Sequence, residues 1–354
     1  MLRTPGAPLL RALASLALLL YLAACGPAAA PTPTATPTPT RTFPSGPGAT
    51  PTPTALPPTP TPPPAVARTA TPTPTPAGTF PLTLTDSAGR TVTLQAPPRR
   101  IIAYDAATVE VLFALGAGDR IVGTHSFVTY PPEVADVPKV GDAFSVSLER
   151  VAALQPDLFF IFYDRFTPDL QRLGVTVLYL ESPTTLAAVA ERIRLWGRIL
   201  GLEARAEEVA RDFEERVAFV QGRLTGVEQG PRVLHEVGDL WVAGPDTFVG
   251  DLYRLLKAHN VAAEVRGFQQ LSAEQVVALD PEVIVTTYDG GTEAFSGNPA
   301  FQGVAAVRTR RIVEVDGSLF SIPGPRIVDA LEGLARFLYP EHFRPAAAAG
   351  RRAA

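Results

Sequence analysis

The sequence predicts an α/β protein of two doubly wound lobes joined by one long helix. Three observations carry this. Short apolar strands alternate with helices across residues 80–344, the pattern of a parallel sheet with helices on its faces. The stretch Ser147–Leu158 returns 125 residues later as Ser272–Val283 with six identical positions, which marks two copies of one unit. Between the copies, Glu203 to Leu224 reads as uninterrupted helix. At 1.5 Å per residue it spans about 33 Å, enough to cross from lobe to lobe.

In chain order, residues 1–25 read as an export signal: Arg3 and Arg11 precede an apolar run, Ala12 to Ala24, too short to span a bilayer comfortably. The run ends Leu22-Ala23-Ala24-Cys25-Gly26. This resembles the lipobox of bacterial lipoproteins, and the resemblance implies a diacylated Cys25 as first mature residue. Cys25 is the only cysteine, so an internal disulfide and a cysteine-based metal site are excluded. Residues 26–79 hold 18 of the 37 prolines, with dense threonine and no acidic side chain. Such a composition cannot bury a core and predicts a disordered, polyproline-like tether between a lipid anchor and a folded body. Arg3, Arg11, Arg41 and Arg68 are the only charges before Phe80, leaving 27 basic against 35 acidic residues beyond it. That acidic balance, with no basic stripe interleaved with aromatics, argues against nucleic acid as a partner.

The first lobe, 80–183, opens with Leu82–Thr85 and Thr91–Leu94 alternating around Asp86-Ser87-Ala88-Gly89, a β-hairpin. Arg100 to Ala103 is a buried strand ending in Tyr104-Asp105, then a helix from Ala106 to Leu115 stops at Gly116. The strand Arg120–Gly123 leads into a loop with His125, Phe127 and Tyr130-Pro131-Pro132. In the repeated unit Ser147 caps a helix, Glu149 sits in its first turn where the helix dipole favours a carboxylate, and Pro156 follows its end. The apolar run after it ends in Tyr163-Asp164. A helix near Pro168–Leu173 and the strand Val175–Leu180 complete the lobe. Residues 184–225 are a helical connection nicked at Gly201. The second lobe, 226–344, supplies the strands Val233–Val237 and Trp241–Ala243, then a helix capped at Gly244-Pro245-Asp246. The second copy follows, with Glu274 in its first turn and Tyr288-Asp289 at its strand end. A strand Arg311–Val315 and a helix from Pro325 to Leu338 close it, and 345–354 reads as a disordered tail.

Ligands of open α/β sheets sit beyond the carboxyl ends of the strands. The first lobe places Tyr104, Asp105, His125, Phe127 and Phe144 there, followed by Tyr163, Asp164 and Arg165. The second places Trp241, Tyr288, Asp289 and Phe320. Phenolate and carboxylate oxygens are hard donors suited to ferric iron. The alternative is that the tyrosines line a pocket with their rings while the aspartates cap the helices that follow. An aromatic pocket suits a large flat or chelated ligand without a metal–protein bond. Neither Ser-His-Asp nor HExxH spacing occurs, and the adjacent His235 and Glu236 point to opposite faces of their strand. The expectation is therefore a binding site with no catalytic residue and no firm metal site.

Thr108-Val109-Glu110-Val111-Leu112-Phe113-Ala114-Leu115-Gly116, Tyr130-Pro131-Pro132-Glu133, Ser147-Leu148-Glu149-Arg150, Ala243-Gly244-Pro245-Asp246-Thr247-Phe248 and Gly324-Pro325-Arg326 follow one another in order. Together they resemble the iron-complex and vitamin B12 class of substrate-binding proteins of ABC importers, over nearly all of 80–344. The resemblance implies lobes on a rigid helix, a ligand in the cleft between them, little hinge motion and no enzyme activity. It also implies one glutamate per lobe docking onto arginines of the permease subunits, here Glu149 and Glu274. Phe127 and Phe162 match aromatic pocket positions of B12 binders, whereas Ser318–Ile322 lacks the charged side chains expected there. Arg165 and Arg326 are candidates to meet an anionic siderophore, with Arg326 alternatively holding the final helix. His125 or His235 is a candidate axial ligand for haem.

The expected ligand is a metal chelate (siderophore, haem or corrinoid), with no resident cofactor. The expected protein is exported, lipid-anchored on the extracytoplasmic face and monomeric. A metal chelatase on the same two-lobed fold and a surface adhesion module stand as alternatives, the latter supported only by the Pro-Thr stalk.

Overall fold

The computed structural model describes residues 79–344. The signal segment, Cys25, nearly all of the tether and the tail lie outside the described residues. Strands β1 (Leu82–Thr85) and β2 (Thr91–Leu94) pair antiparallel. Asp86 closes their turn, its carboxylate accepting from the Ala88 and Arg90 amides.

β3 (Ile101–Tyr104), β4 (Ile121–Gly123), β5 (Leu158–Ile161) and β6 (Val177–Tyr179) form a wholly parallel sheet in the order β4-β3-β5-β6. The chain starts in the middle and winds outward both ways, as the alternating pattern predicts. Helices α1 (Ala106–Ala114), α2 (Leu148–Leu154) and α3 (Thr167–Arg172) belong to this half. α4 (Leu186–Leu200) and α5 (Glu203–Arg223) follow. The second sheet contains β7 (Arg232–Glu236), β8 (Trp241–Ala243), β9 (His259–Asn260), β10 (Phe268–Gln270), β11 (Val283–Thr286) and β12 (Ile312–Glu314). Its order is β10-β8-β7-β11-β12 with β9 beside β7; β8 alone is reversed, pairing antiparallel with both β7 and β10, and the other pairs are parallel. With it come α6 (Phe248–Leu255), α7 (Ala273–Leu279), α8 (Gly291–Ser296), α9 (Ala305–Arg308), α10 (Gly317–Ser321) and α11 (Ile327–Leu338).

The sequence repeat is the pair α2–β5 and α7–β11. In each copy the strand lies beside the first strand of its sheet. Ser147 caps α2 through the Arg150 amide, and Ser272 caps α7 in a reciprocal box with Gln275. One cap differs from expectation: α6 is capped by Thr247, whose hydroxyl accepts from Gly250, while Asp246 accepts from the Gly267 amide instead. The nick at Gly201 is a full reversal. Its positive φ of 68° turns the chain so that α4 and α5 pack as a hairpin, and the bare Gly197 admits Ala206, which a Cβ would overlap. α5 touches both halves: Arg205 donates to the Ala114 carbonyl of α1, and Arg216 pairs with Asp329 and Glu332 of α11.

Strand alternation divides the core in three. Ile102, Tyr104, Phe159 and Ile161 face a cluster private to the first sheet, and Leu234, Val242 and Ile284 one private to the second. The opposite faces, Ile101, Ala103, Leu158 and Phe160 on one sheet and Val233, Val283 and Val285 on the other, join a single continuous cluster with Trp196, Phe213 and Leu331. The lobes therefore share a core through their connecting helices.

Candidate cleft at the strand ends

In the first sheet all four strands end on one edge. Tyr104 ends β3 fully buried, and its hydroxyl donates to the carbonyls of Asp142 and Ser145 at 2.5 and 2.7 Å. Burial pushes its pKa up, so it stays a neutral phenol that clamps a loop rather than presenting itself to a ligand. Asp105 is spent on capping α1, accepting from the Ala107 and Thr108 amides and the Thr108 hydroxyl. Asp164 pairs with Arg90 of the hairpin. Asp105 makes the local helix cap that the sequence offered as the alternative, whereas Tyr104 and Asp164 are engaged by groups 38 to 74 residues away in the chain.

Tyr163, half-buried, donates to the Ala143 carbonyl, and its ring packs on Phe162 and Phe166 with centroids 4.5 and 5.7 Å apart. Arg165 is exposed over the Phe166 ring. The Asp142–Ser145 turn clamped by both tyrosines carries Phe144, which is 38% exposed. Phe127 and Tyr130 stand 42% and 41% exposed on the loop after β4. His125 lies between the Tyr104 and Phe127 rings, 8% exposed, and its Nδ1 accepts from the Phe127 amide. That bond places the ring proton on Nε2, and burial lowers the pKa to about 4, so the ring is neutral and offers a donor rather than a lone pair.

At the second edge His235 is wholly buried, its Nδ1 2.8 Å from the Tyr253 hydroxyl and its ring tilted against Phe320 with centroids 5.4 Å apart. Burial lowers its pKa to about 3. Phe320, 5% exposed, is thus a core ring and not a cleft ring. Glu236 is buried on the other side of β7. Its Oε1 accepts from the Gly238 and Leu240 amides, holding a turn in which Asp239 and Leu240 both have positive φ. Burial raises the Glu236 pKa to about 7, against the opposing pull of those amides and the Tyr288 phenol. Trp241, half-buried, opens β8 directly after that turn, and Asp289 is exposed beyond β11.

Arg326 does not face outward as a free cation. Its Nε and Nη2 donate to Glu110 Oε1 of the other lobe at 3.0 and 2.6 Å. Glu110, Tyr130 and Glu236 belong to these edges, and no side-chain pattern singled them out beforehand. The only signal was that Glu110 and Tyr130 stand inside the family-like segments.

A helix that precedes a parallel strand starts at the edge where the strands end. Glu149 and Glu274 accordingly lie exposed at the same edges as the cleft residues. The contacts agree. Ser147 donates to Val140 beside the Asp142–Ser145 turn, and Leu271 donates to Leu240 in the Glu236-held turn. The Ser272 hydroxyl keeps the Glu274 carboxylate below its usual pKa, so it is anionic. Among the described residues no group of three or more His, Cys, Asp or Glu is placed to hold a metal ion.

The family described as periplasmic binding protein matches residues 101–319. The ABC transporter substrate-binding lipoprotein YvrC of Bacillus subtilis (strain 168) is 30% identical over 276 residues, covering 75% of this chain and 88% of its own length. A cobalamin-binding protein of Halobacterium salinarum (strain ATCC 29341 / DSM 671 / R1) is 29% identical over 274 residues, covering 73% of this chain and 74% of that one. Among solved structures, an ABC-type Fe3+-hydroxamate transport system protein from Saccharomonospora viridis DSM 43017 superposes with a TM-score of 0.61 at 28% identity, over 73% of this chain and 99% of that one.

Proposed function

The chain belongs to the periplasmic binding protein family, and on that premise we propose that it captures an intact metal chelate of the corrinoid kind and delivers it to the permease of an ABC importer. One observation carries the ligand class. Three rings, Phe127, Tyr130 and Phe144, stand exposed at the strand ends, while the side chains that would ligate a metal are engaged elsewhere. A chelate whose metal is already saturated needs ring contacts and no protein ligand. The cobalamin-binding relative supports a corrinoid before a siderophore. Glu149 and Glu274, at the rim of that cleft, are the proposed contacts with permease arginines. Cys25 is the proposed lipid anchor and 26–79 the tether that joins it to the body. The second lobe adds Trp241, Tyr288 and Asp289 to the cleft, with Phe162 and Arg165 on the first.

The test is titration of the purified chain with cyanocobalamin, ferrichrome and haemin, followed by absorbance and thermal melting. Cyanocobalamin is expected to bind and raise the melting temperature. Binding of ferrichrome alone would overturn the corrinoid assignment. Haemin bound with the Soret shift of axial ligation would overturn the saturated-chelate reading.

A further inference from the structure

At the junction of the lobes three segments meet in a stack. Glu110 of α1 is 3% exposed at its side chain, and Arg326, 216 residues later, reaches it with two nitrogens. The Arg326 guanidinium carbon lies 3.5 Å from the centroid of the Tyr130 ring, so the planar group lies on the ring face. Gly324 leaves space for the second Glu110 oxygen, which a Cβ there would approach to 2.7 Å. The ion pair neutralises Arg326, so the junction offers the ring and not a free charge.

Tyr130 accepts neither of the two Arg326 hydrogen bonds, which go to Glu110, and 41% of it faces outward on the loop that also carries Phe127. With the Arg326 cation seated on one face and the rest open beside Phe127, the Tyr130 ring presents an aromatic surface at the lobe junction. Resting on the chelate-binding reading above, we propose that Tyr130 is a ligand-contact ring and that Arg326, held across the junction by Glu110, is the residue that positions it. Lysine at 326 would keep the ion pair but lose the plane that stacks on the ring.

The experiment measures cyanocobalamin affinity by calorimetry and thermal melting for the wild-type chain, Tyr130→Phe, Tyr130→Leu, Arg326→Lys and the Leu/Lys double variant. Tyr130→Phe keeps the ring and is expected to bind within about twofold of wild type. Tyr130→Leu and Arg326→Lys are each expected to lose about tenfold, and the double variant no more than either, because both act through one ring. The melting temperature of Arg326→Lys is expected to stay within about 2 °C of wild type. Wild-type affinity in Tyr130→Leu overturns the ligand contact, and it decides the matter even if Arg326→Lys fails to fold. Additive losses, or an Arg326→Lys chain that binds like wild type, overturn the positioning role while leaving chelate binding intact. A wild-type chain that binds none of cyanocobalamin, ferrichrome and haemin overturns the functional reading itself, and this inference with it.

Discussion

Burial moves His125, His235 and Glu236 off their ordinary titration, in opposite senses. His125 and His235 fall from 6.5 to about 4 and about 3 because burial disfavours the charged ring. The unfolded chain binds their protons more readily, so they cost stability as the pH falls below about 6.5. Glu236 rises from 4.5 to about 7. Its folded state holds the proton more tightly, so its contribution is complete below about pH 4.5 and is lost as the pH rises through about 7. Against Glu236→Gln, the wild-type chain should therefore lose about 3 kcal/mol between pH 4.5 and 7.5 in urea unfolding. A gap that stays constant over that range would show that Glu236 does not titrate there. The sequence treats Tyr104-Asp105 and Tyr288-Asp289 alike. In the fold the first pair is buried, as phenol clamp and helix cap, while Tyr288 is half-buried and Asp289 exposed. Burial depends on neighbours brought from 38 to 41 residues away, which a dipeptide cannot show.

The long helices and buried strands announce themselves by period and by cap residues, and the structure agrees at Ser147 and Ser272. β9, β10 and α8 to α10 are two to six residues long, too short to display a period. The helix starts of the repeat carry the element-scale prediction. Glu149 and Glu274 stand at equivalent N-termini on the same edges as the cleft, where exposed charges steer and orient a partner more than they hold it. Glu149→Arg with Glu274→Arg is expected to cut reconstituted uptake about tenfold or more, with chelate affinity within about twofold of wild type. Unchanged uptake would remove both residues from the docking surface.

Among the described residues the lobes share a core through α4, α5 and α11, tied further by Arg216 and the Glu110–Arg326 pair. Asp251 adds to this by accepting from the Leu186 amide at the start of α4. A continuous apolar core resists sliding, since any hinge motion opens packed surface. At this scale the proposed anchor is tested apart from the cleft: Cys25→Ser should shift the protein from the membrane fraction to the soluble one, with ligand affinity unchanged. Retention in the membrane fraction would assign the attachment elsewhere.

The α/β class, the duplicated unit, most of its strands and helices and the family resemblance were written in the chain itself, because period, caps and turns are local and recur at a fixed offset. Which aromatic rings stay in solvent, which tyrosine hydroxyls are consumed, and that Glu110 meets Arg326 were decided only by the tertiary structure. Those outcomes depend on contacts between segments that the sequence keeps far apart, and burial then changes what each group can do chemically.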